Sequence, residues 1–310
     1  MLWIIGGLVL LVIAGALALQ FAISRNGPAV LTQVDRLTGG SGDAGLRASI
    51  SLGEHPSQKA IVWAPENRDP DSEPLPVLLF VHGGSWNWGD PVDYGFVGRS
   101  FVPKGFIVVL GGYRLHPDAV YPAMLEDTAR TIAWTRQEIA QYGGDPDRIT
   151  IAGHSAGAYN VVQTALEHQW LGRHGMSAND IAGVVGLSGP YDFHPFDSDS
   201  TIASFGDAQN PEATQPINHV RSDAPPMLLI HGDKDNLVKP RNTRELAKRI
   251  EAAGGNVTMH FYPEMEHNDP LISLAAPWRS NRDVDDVIAE FALSATLKDE
   301  TSVPVQGETR

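Results

Sequence analysis

Short apolar runs alternate with longer helical patterns through most of this sequence. The runs are rich in Val and Ile and lack a clean alternation of polar residues, which is typical of strands buried on both faces. These runs lie at Val77–Val81, Phe106–Leu110, Ile149–Ala152, Val184–Leu187, Met227–Ile230 and Val257–Tyr262. The helical patterns lie at Ala123–Tyr142, Asn242–Ala253 and Arg282–Leu297. This succession predicts an α/β fold in which a mostly parallel central sheet carries helices on both faces.

Local signals refine this arrangement. Glycine pairs follow two of the predicted helices, at Gly143-Gly144 and Gly254-Gly255, where a left-handed backbone can end a helix. Before the first buried strand, Arg47–Leu52 and Lys59–Trp63 read as an antiparallel pair at the sheet edge. A chain of 310 residues with this pattern is expected to form one large domain over residues 46–297.

The composition excludes several kinds of site and partner. The chain has no Cys, so a thiolate metal site, a Cys nucleophile and a redox dithiol are excluded. Any nucleophile must therefore be an oxygen or a nitrogen atom. The 37 acidic and 23 basic side chains give a formal net charge of -14, and no run of Lys or Arg offsets it. No nucleic-acid partner is expected, because this charge repels phosphate.

The amino terminus carries a long apolar segment. Residues Leu2–Ile23 contain no charge and are long enough to cross a bilayer as a helix, which predicts a single-pass membrane anchor. A cleaved signal peptide is the alternative, because Ala16-Leu17-Ala18 resembles a cleavage site, although no Lys or Arg precedes the run. Arginines after the span favour a cytoplasmic domain, but nearby acidic residues leave the side of the membrane open. Residues 24–45 are predicted to be a linker and residues 298–310 a flexible tail.

A strand-turn-helix motif supplies a candidate nucleophile. The sequence Gly153-His154-Ser155-Ala156-Gly157 follows the strand ending at Ala152 and precedes the helical stretch Ala158–Glu167. A G-x-S-x-G motif in this context is typical of a tight turn that projects a serine outward, with the glycines relieving crowding. Loops at the carboxyl ends of parallel strands carry the chemistry of such sheets, so Ser155 is the candidate nucleophile.

Two later strands end in loops that could supply an acid and a base. A serine hydroxyl needs a general base, and an imidazole serves as one when a carboxylate fixes its tautomer. Asp233 and Asp235 follow the strand ending at residue 230, and either could be the acid. The alternative role for Asp233 is that of a turn residue that caps the loop. His267 lies in a loop past the last strand and is favoured over His260, which lies within that strand.

A glycine loop follows the first buried strand. The sequence His82-Gly83-Gly84-Ser85-Trp86 comes directly after Val77–Val81. Backbone N–H groups in such a loop can point at an oxygen that gains negative charge during attack on a carbonyl carbon. The loop therefore predicts an oxyanion-binding site to accompany the candidate nucleophile.

Taken in order, these motifs resemble one family. From Lys59 to Leu297 the chain is similar to α/β-hydrolase esterases that carry an HGGxW or HGGG loop. That group includes carboxylesterases, hormone-sensitive-lipase-like and feruloyl-esterase-like enzymes, and arylformamidases. Further matching stretches are Tyr113-Arg114-Leu115 with Pro117, Tyr121-Pro122-Ala123 with Glu126-Asp127, and Tyr142-Gly143-Gly144-Asp145-Pro146.

The resemblance implies roles for individual residues. It makes Ser155 the nucleophile, Asp235 of the HGxxD element the acid, and His267 the base. It also implies that His82 and His154 brace their loops by hydrogen bonds and do not titrate in the reaction.

The same resemblance implies the oxyanion donors. They would be the main-chain N–H groups of Gly84 and Ala156, with Gly83 and Ser85 as further candidates. Ser85 stands where lipase-like members have a third glycine, which keeps the backbone donor but narrows the pocket.

Aromatic residues near these loops are the candidates for substrate binding. Trp86, Trp88 and Tyr159 could pack against an acyl or aromatic group, and they could equally belong to the core. Phe193 lies in the long connection after the fourth apolar run and is a further candidate. The connection Ser188–Pro226 is long and rich in aromatic residues, so we expect a cap or part of the acyl pocket, with a surface excursion as the alternative.

The resemblance implies a serine hydrolase that cleaves small carboxylic esters through an acyl-enzyme intermediate and needs no cofactor. Cleavage of amides or formamides is the nearest alternative, because arylformamidases share the HGGxW loop. A non-catalytic, membrane-tethered binding protein of the same fold is an alternative from another class. Glu264, Glu266 and His267 do not predict a metal site, because the chain has no second His at ligand spacing and no HExxH motif.

Overall fold

The described part of the chain is built around one eight-stranded β-sheet. The computed structural model describes residues 2–39, 42–69 and 71–296, leaving out the side chains of residues 2–14, 16–19 and 24. Within these ranges the strands are β1 Ala44–Ser51, β2 Lys59–Pro65, β3 Leu75–Val81, β4 Ile107–Gly111, β5 Gly144–His154, β6 Gly183–Leu187, β7 Met227–Gly232 and β8 Val257–Tyr262. They lie in the order β1-β2-β4-β3-β5-β6-β7-β8. Only the β1/β2 and β2/β4 pairs are antiparallel, so the sheet is mostly parallel, as predicted.

Helices cover both faces of this sheet. Their bounds in the described residues are α1 Leu2–Leu37, α2 Gly95–Phe101, α3 Ala123–Glu138, α4 Ala156–Leu166, α5 His168–Gly172, α6 Asp199–Phe205, α7 Arg241–Ala252, α8 Asp269–Ile272 and α9 Val284–Thr296. Short 3₁₀ turns lie at Pro91–Tyr94, Val102–Lys104, Ile139–Tyr142, Ala178–Asp180, Pro211–Thr214, Pro216–Asn218 and Trp278–Asn281.

Successive residues of β3 belong to different cores. Val77, Leu79 and Val81 pack in a cluster with residues of α3, α4 and α7, whereas Leu78 and Phe80 pack in a second cluster with residues of α2 and α9. Side chains alternate across a strand, so the two clusters lie on opposite faces of the sheet. Burial on both faces explains why this strand reads as a continuous apolar run.

Most predicted strands begin close to the observed ones, but β5 begins at Gly144, well before the predicted run at Ile149. Gly143 and Gly254 have φ angles of +84° and +81° and follow the ends of their helices, as expected. The expectation of burial on both faces is wrong for β8, whose residues are half-buried or exposed. The reason is its position, because β8 is the last strand of the sheet and has one free edge.

The predicted linker over residues 24–45 is wrong. Helix α1 breaks at Asn26, whose φ of -157° and ψ of 82° are not helical, and then continues to Leu37. The Asn26 side chain accepts a hydrogen bond from the N–H of Ala29 over 3.1 Å, and Pro28 lies in the first turn of the new helix. Both are signals of a helix start, so Asn26 caps a second helical segment.

The membrane prediction finds no support in the structure. In the residues that the structure describes, no helix is long and apolar enough to cross a membrane. Most of the predicted anchor at Leu2–Ile23 belongs to the residues whose side chains are not described. The predicted tail, 298–310, lies outside the described residues altogether.

Candidate active site

Ser155 occupies the sharp turn between β5 and α4. Its φ of 54° and ψ of -119° are strained for a residue with a side chain. Its N–H donates to the carbonyl oxygen of Leu187 on the neighbouring strand over 2.8 Å, which holds the turn in place. Gly157 leaves room for the approach of β3, because a Cβ atom there would lie 2.1 Å from the carbonyl oxygen of Val81.

A line of hydrogen bonds joins three of the predicted residues. The Nδ1–H of His267 donates to Oδ2 of Asp235 over 2.7 Å, and the Ser155 hydroxyl donates to Nε2 of His267 over 2.9 Å. The three side chains come from the loops after β5, β7 and β8, which meet at the carboxyl edge of the parallel sheet. Asp235 is 2% exposed and the other two residues are each 8% exposed, so the line is largely shielded from water.

The structure separates the two candidate aspartates. Asp235 accepts N–H groups from Leu237 and Val238, each over 2.9 Å, on the oxygen that does not face His267. Asp233 lies on the surface and pairs with Arg244 over 2.6 Å. Asp233 therefore does not take part in the line of hydrogen bonds to Ser155.

His231 is a partner of Asp235 that the sequence reasoning did not assign. Its Nε2 lies 3.2 Å from Oδ2 of Asp235 and 2.8 Å from the carbonyl oxygen of Val238. Burial by itself raises the pKa of Asp235, but hydrogen bonds from His231 and His267 hold that pKa below its ordinary value. Asp235 is therefore ionised at neutral pH. The sequence contains a signal that could have identified His231 as a partner, because it is the first residue of the HGxxD element that ends at Asp235.

The glycine loop and the start of α4 carry backbone N–H groups that can act as donors. In the part of the chain that the structure describes, the N–H groups of Gly83, Gly84, Ser85 and Ala156 donate to no protein acceptor. Gly84 has a φ of +113°, and a Cβ atom there would lie 1.9 Å from the carbonyl oxygen of Trp88. Gly84 and Ser85 line the same cavity as Ser155, so their N–H groups are available to a bound oxygen atom.

Two buried histidines tie these loops together. The Nδ1–H of His82 donates to the carbonyl oxygen of Gly83 over 2.7 Å, and the Nε2–H of His154 donates to that of His267 over 3.0 Å. Burial lowers the pKa of His82 to about 4 and that of His154 to about 3. Both rings are neutral at pH 7 and take the bracing positions that the resemblance implied.

Of the predicted substrate-binding aromatics, Trp88 lines the cavity beside Ser155 and the other three lie elsewhere. Trp86 and Tyr159 are 3% and 0% exposed, and with Phe193 they belong to an aromatic cluster around Phe205. The Trp86 ring donates its Nε1–H to Asn160 over 3.1 Å. None of the three is among the described residues that line the cavity beside Ser155. Trp86 and Tyr159 therefore belong to the core, which was the alternative interpretation, and Phe193 is half-buried against it.

The cavity beside Ser155 has a volume of about 640 Å³ and is lined mostly by apolar side chains. One wall comes from the second part of α1, through Val30, Leu31 and Val34. The connection Ser188–Pro226, expected to form a cap, contributes none of the described lining residues. Sequence reasoning missed the wall because it treated this part of the chain as a linker.

The acidic residues before His267 take other roles. Glu264 forms an ion pair with Lys234, and the backbone N–H of Glu266 donates to Asp269 over 2.8 Å. Across the described residues, no group of three or more His, Asp or Glu side chains is arranged to hold a metal ion.

Known proteins share sequence with this chain. Residues 62–250 match the BD-FAE family. Esterase LipQ of Mycobacterium tuberculosis is 35% identical over 245 residues, covering 72% of this chain and 57% of that protein. The probable isoprenylcysteine alpha-carbonyl methylesterase ICMEL1 of Arabidopsis thaliana is 28% identical over 265 residues, covering 77% of this chain and 54% of that protein. The chain thus spans about half the length of these relatives.

Solved structures share its fold. Esterase B from Lactobacillus Rhamnosis superposes with a TM-score of 0.72 over 91% of this chain and 96% of that chain, at 18% sequence identity. A truncated carbohydrate esterase from gut microbiota superposes with a TM-score of 0.70 over 82% of this chain and 97% of that chain, at 20% identity. At these identities the likeness establishes the α/β-hydrolase fold alone. The family match spans the loops that carry Ser155 and Asp235 and covers more than half of the sequence, so the chain belongs to the BD-FAE family of α/β-hydrolase-fold proteins.

Proposed function

We propose that this chain is a serine hydrolase that cleaves carboxylic esters. One observation carries the proposal: the hydrogen-bonded line from Asp235 through His267 to Ser155 ends in a cavity lined by unengaged backbone N–H groups. This arrangement has the nucleophile, base, acid and oxyanion donors that acyl transfer requires.

The first half-reaction transfers the acyl group to the protein. The Ser155 oxygen attacks the ester carbonyl carbon while its proton passes to Nε2 of His267. The carbonyl electron pair moves onto oxygen, where N–H groups of the Gly84 loop and of Ala156 donate hydrogen bonds. The tetrahedral intermediate then collapses, the bond to the alcohol oxygen breaks, and the imidazolium returns the proton to the leaving alcohol.

The second half-reaction uses water. His267 removes a proton from a water molecule, and the hydroxide oxygen attacks the carbonyl carbon of the acyl-serine. The bond to the Ser155 oxygen breaks, the proton returns to that oxygen, and the carboxylic acid leaves. Asp235 stays ionised throughout and stabilises the imidazolium that forms in each half-reaction.

Relatives support ester cleavage over other acyl transfers. LipQ is named an esterase, ICMEL1 a probable methylesterase, and a third relative, LipM of Mycobacterium tuberculosis, a probable carboxylic ester hydrolase. Esterase B from Lactobacillus Rhamnosis has also been solved in an inhibited form with a tributyrin phosphonate. A phosphonate on a serine mimics the tetrahedral intermediate of ester cleavage.

The test is fluorophosphonate labelling of the full chain beside Ser155→Ala, followed by turnover of matched aryl ester and aryl formamide substrates. We expect labelling of the native chain alone and a fall in ester turnover of about 10⁴-fold or more in the variant. A faster formamide reaction would contradict the ester assignment. A folded native chain that takes up no probe would favour a non-catalytic binding protein.

A further inference from the structure

We propose that the helical segment Asn26–Leu37 is the substrate-selecting wall of the site, and that the substrate is an ester with a long, uncharged apolar group held against it. This inference rests on the proposed ester hydrolysis and names the class of ester. Four sets of observations carry it: the attachment of the segment, the face that it presents, the character of the cavity, and the cavity's size.

A buried ion pair fixes the segment to the domain. Asp35 is fully buried and accepts a hydrogen bond from Nε of Arg99 in α2 over 2.5 Å. Its other oxygen accepts the N–H of Ala276 over 2.8 Å. A buried carboxylate is costly unless it is paired, so the segment cannot leave this position without exposing or stranding a charge.

Further attachments lie at the start and in the middle of the segment. The Asn26 side chain donates to Oδ2 of Asp93 over 2.7 Å, and the Thr32 hydroxyl donates to the Asp93 carbonyl oxygen over 2.6 Å. The Thr32 carbonyl oxygen in turn accepts from Nη2 of Arg99 over 3.0 Å. The segment is therefore held at both ends and in the middle, and acts as a fixed wall.

The face beside the cavity is apolar. Val30, Leu31 and Val34 line the cavity that also contains Ser155 and His267. Val34 lies four positions after Val30 and three after Leu31, which are the spacings of neighbours on a helix surface, so these three form one continuous patch. Thr32 and Asp35, which make the attachments, lie on the side turned toward the domain.

The rest of the cavity is also apolar. Leu271, Ile272 and Trp278 line it together with the segment. Trp88 and Leu237, 49% and 70% exposed, lie among the lining residues and give the opening an apolar rim. Among the described lining residues, Arg25 alone carries a fixed charge, and it is exposed to solvent. A charged group would therefore be unpaired in the interior, whereas an alkyl or aryl group would be desolvated favourably.

The volume of the cavity indicates how large the apolar group of the substrate can be. At about 640 Å³ the cavity lies in the range of pockets that enclose drug-sized ligands and is far larger than an acetyl group needs. Each methylene moved from water into such a pocket strengthens binding roughly threefold to fourfold. The sequence predicted small esters, and the wall extends that expectation to esters with a long chain.

The first measurement compares two substrate series on the full chain. One is p-nitrophenyl acetate, butyrate, octanoate and decanoate, and the other is acetate esters of alcohols of the same lengths. We expect kcat/KM to rise at least tenfold from the shortest to the eight-carbon member in one series, which identifies the side of the ester that occupies the wall. A decline with length in both series would overturn the inference.

The second measurement tests whether the segment Asn26–Leu37 causes the preference for the longer ester. Val34→Phe fills the cavity, and we expect the ratio of kcat/KM for the eight-carbon and two-carbon members of the selective series to fall tenfold or more. Gln33→Phe adds the same ring on an exposed neighbouring position and is expected to keep the native ratio. If Val34→Phe does not fold, Val30→Phe makes the same test from the next turn.

The outcomes separate the two proposals. An unchanged ratio in a folded cavity-filling variant that still takes up fluorophosphonate would overturn the wall and leave ester hydrolysis standing. Absence of labelling in the native chain would overturn ester hydrolysis and the wall with it.

Discussion

The ring of His154 donates a hydrogen bond through Nε2–H to the main-chain carbonyl oxygen of His267, over 3.0 Å. His154 immediately precedes Ser155, so this bond joins the turn that carries the proposed nucleophile to the loop that carries the proposed base. The ring is 3% exposed, and burial lowers its pKa to about 3, so the ring is neutral near pH 7 and its Nε2–H remains the donor. The bond therefore fixes the distance between two reacting groups without taking part in proton transfer.

His154 is accordingly predicted to act as a positioning residue. His154→Leu keeps much of the volume but removes the donor, and we expect kcat to fall about 10- to 100-fold, because a displacement of about 1 Å costs roughly that much. His154 also lines the substrate cavity, but leucine keeps much of its volume there, so KM should change much less than kcat. His154→Gln restores an N–H donor and should recover part of kcat. The rates are measured per site labelled by fluorophosphonate, and an unchanged rate in the leucine variant would contradict the assignment.

The two aspartates after β7 provide a matched pair. Asp235→Asn removes the charge that holds the His267 tautomer, so we expect kcat to fall by roughly 10⁴-fold. Asp233→Asn makes the same chemical change at an exposed residue that pairs with Arg244, and should leave kcat within twofold of the native value. Steady-state kinetics on one ester decide between them. Equal losses in both variants would argue against Asp235 as the acid.

Gly157 is predicted to be irreplaceable for a steric reason. A Cβ atom at this position would lie 2.1 Å from the Val81 carbonyl oxygen, which is backbone and cannot swing away. Gly157→Ala should lower the free energy of unfolding by about 1–3 kcal/mol and disturb the neighbouring Ser155 turn. Gly172→Ala is the control, because no atom lies within 4 Å of its Cβ position and alanine favours helices. Urea unfolding compares the two, and equal stabilities would contradict the crowding argument.

The sheet and the candidate site residues could be predicted from the sequence because their signals are local. The strands are apolar runs, and the turn at Ser155 and the glycine loop at Gly84 need glycine at fixed spacings. The choice of Asp235 over Asp233 needed the family resemblance, since both follow the same strand. The structure adds the reason, because the Leu237 and Val238 N–H groups close around Asp235.

The substrate cavity could not be predicted in the same way. Asn26 and Pro28 are helix-start signals, but they follow an apolar stretch and precede a Gly-rich one, which favours a linker. What fixes the segment is the Asp35–Arg99 pair, whose members are 64 residues apart in the chain. Likewise, Trp86 belongs to the core because Phe193 and Phe205 reach it from a distant connection. Contacts of this kind depend on tertiary packing and leave no periodic pattern.

Because His82 and His154 are buried and neutral, we expect the free energy of unfolding to depend on pH. The pKa of His82 is lowered by burial from 6.5 to about 4, and that of His154 from 6.5 to about 3. Between pH 6.5 and 4 the unfolded chain binds these protons and the folded chain does not, so the free energy of unfolding must fall as the pH falls. For His82 the loss amounts to about 3 kcal/mol across that window. Asp235, whose pKa lies below its ordinary value of 3.8, loses its contribution only at lower pH.

Urea unfolding at pH 7 and pH 4.5 tests this on the native chain and on His82→Asn. The asparagine can still donate to the Gly83 carbonyl oxygen but does not titrate, so the variant should lose about 2 kcal/mol less than the native chain on acidification. Asp285, whose pKa burial raises, contributes with the opposite sign in both proteins and cancels in the difference. His168→Asn, at an exposed position, is the control and should follow the native chain. If His82→Asn also follows the native chain, the folded His82 ring is protonated at pH 4.5, and burial does not lower its pKa.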